Sequence, residues 1–151
     1  MEPRSTPSPQ AVRDQLEKIL ASAPFAASTR SQRFLRYVVE SSLGKEPGNG
    51  EESVQEYAIA VDVFDRDASY DPSIDATVRV EAGRLRARLR EYYDEMGRND
   101  PILIAMPKGA YRATLNRGQR IRSQVTHLLG PSRRLRQQPR LHPIPHPVDA
   151  V

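Results

Sequence analysis

One amphipathic run constrains this 151-residue chain more than any other feature. Val78, Ala82, Leu85, Leu89, Tyr92 and Met96 recur four and three positions apart, and Gly97 follows where such a helix stops. The spacing predicts a helix over residues 77–93 with one apolar stripe laid on a core. At about 100° per residue the stripe centres near Leu85, and Val80, Gly83 and Ala87 point the opposite way. Any fold for this chain must cover that stripe.

Three further helices are expected upstream. Val12, Leu16, Ile19, Leu20 and Ala23 mark one over residues 11–23, which Pro24 ends. A second begins at Ser28 or Thr29, either able to cap, and buries Phe34, Leu35, Val38 and Leu43 before Gly44. The stretch GKEPGNGEE, residues 44–52, reads as a loop. A third helix over residues 53–64 follows from Val54, Tyr57, Ala58, Val61 and Phe64, although Ile59, Val61 and Val63 also alternate as a short strand near 61–64 would. Residues 65–75, DRDASYDPSID, read as a loop with cap-like aspartates and a single turn begun by Pro72. Downstream, Ile102, Leu103 and Ile104 form a strand, residues 107–110 a turn and residues 111–115 the returning strand of a β-hairpin.

The expected class is therefore mainly α with a C-terminal β-hairpin: four helices plus a wing, then a disordered tail. Residues 1–9 read as a polar leader, 10–115 as the domain and 116–151 as a basic tail rich in proline and arginine. Within that tail, Ile121, Val125, Leu128 and Leu129 mark a short amphipathic piece before Pro131. Thirteen prolines, three phenylalanines and no tryptophan fit one modest core with unpacked ends.

Charge is unevenly spread. From residue 116 onward there are seven arginines and one acid; residues 51–75 carry eight acids and Arg66, whereas residues 79–90 carry five arginines and Glu81. An acidic stretch thus adjoins a basic helix. On that helix Arg79, Arg86 and Arg90 flank the small residues on one side, Arg84 and Glu91 on the other, with Arg88 nearer the core boundary. Small residues permit close approach to a surface, and arginines at the edges reach phosphate oxygens or the O6 and N7 of guanine. Three readings stay open: a helix in a DNA major groove, a face packed on another protein, or a solvated face whose arginines pair with Glu81, Glu91, Asp94 or Glu95. A mid-helix glycine costs about 1 kcal/mol relative to alanine, so Gly83 fits best where a side chain would obstruct a contact.

The order helix, turn, basic helix and hairpin is that of a winged helix-turn-helix. TVRVEAGRLRARLREYY (77–93) followed by PILIAMPKGAYRATL (101–115) resembles the recognition helix and wing of the OmpR-type effector domain of bacterial response regulators. Val78, Val80, Arg84-Leu85-Arg86 and Tyr111-Arg112 carry the likeness, whereas Ala110 stands where that pattern has glycine. EYAIAVDVFDR, YDP, VRVEAGRLR and PKGAY are similar to an N-terminal winged-helix-like module of bacterial multidomain signalling proteins with tetratricopeptide or cyclase-type regions. The resemblance covers residues 32–115. It implies that the third helix supports the fourth, that Arg79, Gly83, Arg86, Ala87 and Arg90 face the groove, and that Lys108 and Arg112 touch backbone phosphate. The N-terminal strands of that effector family are replaced here by helices, and no receiver domain is expected ahead of the match.

The expectation for function is a DNA-binding, transcription-regulator-like module. Arg79, Arg84, Arg86 and Arg90 supply most contacts to double-stranded DNA, and a homodimer is expected because one small module binds weakly. The alternative is a non-catalytic protein-protein interaction module of a bacterial signalling protein. The tail either adds nonspecific nucleic-acid affinity by counterion release or is the remnant of a truncation or shifted frame. No enzyme, cofactor or metal is expected. From Asp65, a calcium loop would need glycine at Tyr70 and glutamate at Ala76; His127, His142 and His146 fall in the tail, with prolines between the last two; cysteine is absent; and no P-loop, GxSxG or GxGxxG occurs. No apolar run approaches the roughly 18 residues that cross a bilayer, and no signal peptide is apparent, so no membrane contact and a cytoplasmic location are expected.

Overall fold

The computed structural model describes residues 6–43, 52–109 and 111–117, with the side chains of 52–54 excepted. Outside the described residues lie most of the expected 44–52 loop, the side chain of Val54, Ala110, and the tail from residue 118 with its amphipathic piece, its histidines and all its arginines but Arg117. Among the described residues the protein is mainly helical, with five helices and one two-stranded antiparallel sheet: α1 (Pro9–Leu20), α2 (Ala23–Ala26), α3 (Thr29–Ser42), α4 (Glu52–Asp62), α5 (Thr77–Asp94), β1 (Ile102–Ala105) and β2 (Thr114–Arg117).

Four helices were expected, and the extra one comes from Pro24. Its ring does not end the first helix, which stops at Leu20; it opens α2, where a missing N–H is harmless. Pro24 and Phe25 are buried. The leader is also shorter than expected. Pro9 begins α1, and Ser8 caps it by accepting from the Ala11 N–H at 3.2 Å. Of the two candidate caps for α3, Ser28 serves: its Oγ accepts from the Ser31 N–H at 3.2 Å. Phe34, Leu35 and Val38 are buried as expected, with Leu43 half-buried.

α4 is helical but turned from the expected face. Glu56, Ile59, Ala60 and Val63 are buried, whereas Tyr57 is exposed and Ala58, Val61 and Phe64 are half-buried. Residues 56, 59, 60 and 63 form a regular helical stripe, but its first member is a carboxylate, so a search for apolar periodicity passes it over. The strand alternative near 61–64 is not realised, because α4 runs to Asp62 and the chain then turns. Asp65 makes the exit with a φ of 56°, a left-handed conformation that aspartate tolerates.

α5 has the expected start and buries Val78, Ala82, Leu85, Leu89 and Tyr92. It ends at Asp94, before Gly97, so Met96 leaves the stripe and is exposed. The hairpin pairs Ile102 with Arg117, Leu103 with Asn116, Ile104 with Leu115 and Ala105 with Thr114. Its second strand is displaced from the expected 111–115 and extends past the expected domain boundary at 115. Tyr111 is buried instead of lying in the strand. Gly109, with a φ of 84°, makes the turn.

All these elements share one core, in which Leu16, Ile19, Phe25, Phe34, Leu85, Leu89, Leu103 and Ile104 are among the fully buried side chains. The sheet is fastened to α5 by Tyr93. Its hydroxyl donates to the Ile102 carbonyl at 2.9 Å and accepts from the Ile104 N–H at 2.8 Å, satisfying the outer edge of β1. Among the described residues no helix is long and apolar enough to cross a membrane.

Candidate functional site

The outer face of α5 carries the sequence-derived candidates. Val80 is 49% exposed, Gly83 is exposed and Ala87 is half-buried, so the small-residue strip opposite Leu85 lies at the surface. A Cβ built at Gly83 would meet no atom within 4 Å. The protein's own packing therefore gives no reason for glycine there.

Arg79 and Arg84 stand on opposite sides of this strip, each with its guanidinium group paired to a buried carboxylate. Arg79 Nη1 lies 3.6 Å from Glu56 Oε1, and Arg84 Nη1 lies 2.7 Å from Glu81 Oε1. Their side chains remain 49% and 62% exposed, whereas the two glutamates are 6% and 7% exposed. Cations that pair with buried carboxylates are held in place, because leaving the acid unpaired is costly. Both keep further N–H groups for an outside acceptor.

Arg86, expected to face a groove, turns inward. Its Nε donates to the Met106 carbonyl at 2.8 Å and its Nη2 to the Pro107 carbonyl at 3.1 Å. These bonds brace the hairpin against α5, and the physical reason is plain: the chain leaving β1 presents two carbonyls that the sheet does not satisfy. Arg88 likewise donates from Nη1 to the Pro24 carbonyl at 2.6 Å, joining α5 to α2. Arg90 is half-buried. On the hairpin, Lys108 is exposed at the turn and Arg112 is half-buried. The structure thus gathers Arg79, Gly83, Arg84 and Ala87 on one helix face, adds Lys108 as an exposed cation on the turn, and reassigns Arg86 to internal support.

Glu56 joins α4 to three other parts of the molecule. Tyr70 Oη lies 3.2 Å from its Oε1, and Tyr111 Oη donates to its Oε2 at 3.2 Å. With Arg79, these contacts tie α4, the 65–75 loop, the start of α5 and the hairpin to one carboxylate. Burial, followed by the negative charge of Glu56 and the hydrogen bond to it, pushes the Tyr70 hydroxyl up to about 12, so it stays protonated as a donor.

The loop before α5 is ordered by its aspartates. Asp67, Asp71 and Asp75 accept from the N–H groups of Ser69, Ser73 and Thr77 at 2.8, 2.9 and 2.9 Å. Hydrogen bonds from the side chain and backbone of Thr77 hold the Asp75 carboxyl below its ordinary value, with Arg66 and Arg79 adding to the effect. Asp75 is thus a stable anion at the start of α5, where the helix dipole favours one. Its neighbour Ile74 is 84% exposed.

Sequence reasoning missed Glu56 and Arg30. Glu56 was legible as the residue completing the 56, 59, 60, 63 stripe. Arg30 had no local signal. Its Nη1 lies 3.5 Å from Glu81 Oε1, and its guanidinium stands 5.8 Å from the centre of the Phe64 ring. Among the described residues no group of three histidines, cysteines or acids is placed to hold a metal ion. Comparison of the chain with family models, curated proteins and solved structures finds no match.

Proposed function

We propose that this chain is a DNA-binding module of the winged helix-turn-helix kind, with α5 as the recognition helix, the β1-β2 hairpin as the wing and a role in transcription regulation within bacterial signalling. One observation carries the reading: the face of α5 opposite the core is open at Gly83 and flanked by the half-exposed guanidinium groups of Arg79 and Arg84. Small residues at the centre allow close approach to a groove, and arginines at the edges can reach phosphate oxygens or base edges. The resemblance of residues 32–115 to winged-helix modules supports the same assignment.

In this reading Arg79, Arg84 and Arg90 supply contacts from α5, with Gly83 and Ala87 setting the depth of approach. Lys108 and Arg112 reach backbone phosphate from the wing. Arg86 acts indirectly, by fixing the wing to the helix. A dimer on two half-sites is the expected assembly, since one small module offers few contacts.

Fluorescence anisotropy against random and genomic duplexes at two salt concentrations tests the proposal. Log K should fall linearly against log salt, by about 0.9 for each phosphate neutralised. An Arg79→Ala, Arg90→Ala variant should bind more weakly; titration curves equal to the parent's, from a folded variant, would overturn the assignment. A second reading, docking on a protein partner, is favoured by Ile74 and Val80, exposed apolar side chains at 84% and 49% beside the acidic loop. It predicts self-association or partner capture without any shift of DNA.

A further inference from the structure

Two guanidinium groups from different helices converge on one buried acid. Arg30, in the first turn of α3, and Arg84, in the middle of α5, both place Nη1 against Oε1 of Glu81, at 3.5 and 2.7 Å. Glu81 is 7% exposed, while Arg30 and Arg84 are 60% and 62% exposed, so the acid is covered and both cations reach solvent. The Arg30 guanidinium carbon stands over the Phe64 ring, 5.8 Å from its centre, and Phe34 packs edge-on against that ring at 5.3 Å. The cations are thereby preorganised. Two positive charges against one negative leave a surplus of one, on side chains that remain largely exposed.

We infer that Arg30 and Arg84 form a clamp for a single phosphate diester, with Glu81 as the residue that positions them. The inference rests on the DNA-binding reading and adds to it a contact from α3, a helix to which the sequence assigned no role in binding. A planar guanidinium donates two parallel N–H groups to phosphate oxygens, and a pair held on a shared carboxylate loses little freedom in doing so. Such a contact fixes register on the duplex and reads no base.

The surplus of one charge gives the clamp a signature in salt dependence. The parent clamp neutralises one phosphate. Removing either arginine leaves the other cancelled by Glu81, so Arg30→Ala and Arg84→Ala should each weaken binding to a random-sequence duplex several-fold. Each should also reduce the steepness of log K against log salt by about 0.9. Arg84→Ala combined with Glu81→Gln frees the charge of Arg30 and should restore the slope towards the parent's. A merely structural role for Arg30 would not produce that restoration. Arg36→Ala, which removes a cation paired with Glu17 at 2.6 Å elsewhere on α3, should leave the slope unchanged.

Arg30→Ala leaves Glu81 paired with Arg84 and so retains the fold, which a melting curve verifies. A parent that fails to bind the duplex at low salt overturns both the DNA-binding reading and the clamp. A parent that binds while Arg30→Ala titrates identically overturns the clamp alone. So does an equal loss of slope in Arg36→Ala, which would mark the effect as general charge.

Discussion

At Gly97 a Cβ would stand 2.3 Å from Cε1 of the Tyr92 ring and 2.7 Å from Cδ1, whereas at Gly83 it would meet nothing within 4 Å. The first glycine is required by the protein's own packing. Its N–H also closes the end of α5 by donating to the Tyr92 carbonyl at 2.8 Å. The second lies mid-helix, where glycine is unfavourable, on a face with room for a side chain. One helix thus shows two situations: its inner face and its end answer to the core, and its outer strip lies open where the core sets no demand. Composition alone does not separate the two glycines. What surrounds the missing Cβ does.

The largest expected effect comes from attacking the inner face. Leu89 is fully buried beneath the outer strip, and Leu89→Ala should lower unfolding free energy by about 2–5 kcal/mol in urea titrations. Gly97→Ala comes next. Tyr92 cannot swing away easily, because its hydroxyl bonds to Asp100 and Gln15 lies 3.4 Å from the same oxygen. Overpacking there should cost about 1–3 kcal/mol. A Gly97→Ala protein as stable as the parent would erase the contrast between the two glycines.

The same turn provides a pH test with a smaller effect. Burial alone would raise the Asp100 carboxyl, but hydrogen bonds from Gln15 and Tyr92 and the Lys18 ammonium outweigh it and hold the group below its ordinary value. A depressed folded-state value contributes stability that is complete above the unfolded value of about 3.9 and is lost as pH falls through the folded one. Unfolding followed from pH 6 down to pH 2 should therefore show a loss of stability at the acid end, and Asp100→Asn should remove part of that pH dependence. Identical acid profiles for the two proteins would show that the turn is not held by this carboxylate.

The smallest change in stability, and the sharpest for function, is Gly83→Ala. It should raise unfolding free energy by up to about 1 kcal/mol, because alanine favours the helix and meets no neighbour. Affinity for duplex DNA should fall in the same protein. Stability and binding moving in opposite directions would place the reason for Gly83 outside the chain; a gain in stability with unchanged binding would remove the outer strip from the interface.

Much of this architecture was legible before any coordinates. The stripe from Val78 to Tyr92 specified α5, the Ile102 to Ile104 run and the Pro107-Lys108-Gly109 turn specified a hairpin, and Ser28 or Thr29 marked the start of α3, which the structure resolves in favour of Ser28. Misreadings arose where one residue type serves two opposite purposes. Pro24 can end a helix or begin one, and it began α2. The buried face of α4 opens with Glu56, whose burial becomes acceptable only with Tyr70, Tyr111 and Arg79 around it. Tyr111, expected in the returning strand, lies before it and donates its hydroxyl to that carboxylate.

The candidate site divides along similar lines. Helical periodicity alone determined that Val80, Gly83 and Ala87 lie opposite the buried leucines, because rotation per residue is a local property of the backbone. It also placed Arg79 and Arg84 at the edges of the strip. Only the tertiary structure decided which arginines remain available to a partner. Arg86 was taken by the Met106 and Pro107 carbonyls, Arg88 by that of Pro24, and Arg30 was brought from α3 to share Glu81 with Arg84. The reason is one of reach. An arginine side chain extends far enough to choose among acceptors on several elements, and those acceptors become neighbours only once the chain has folded.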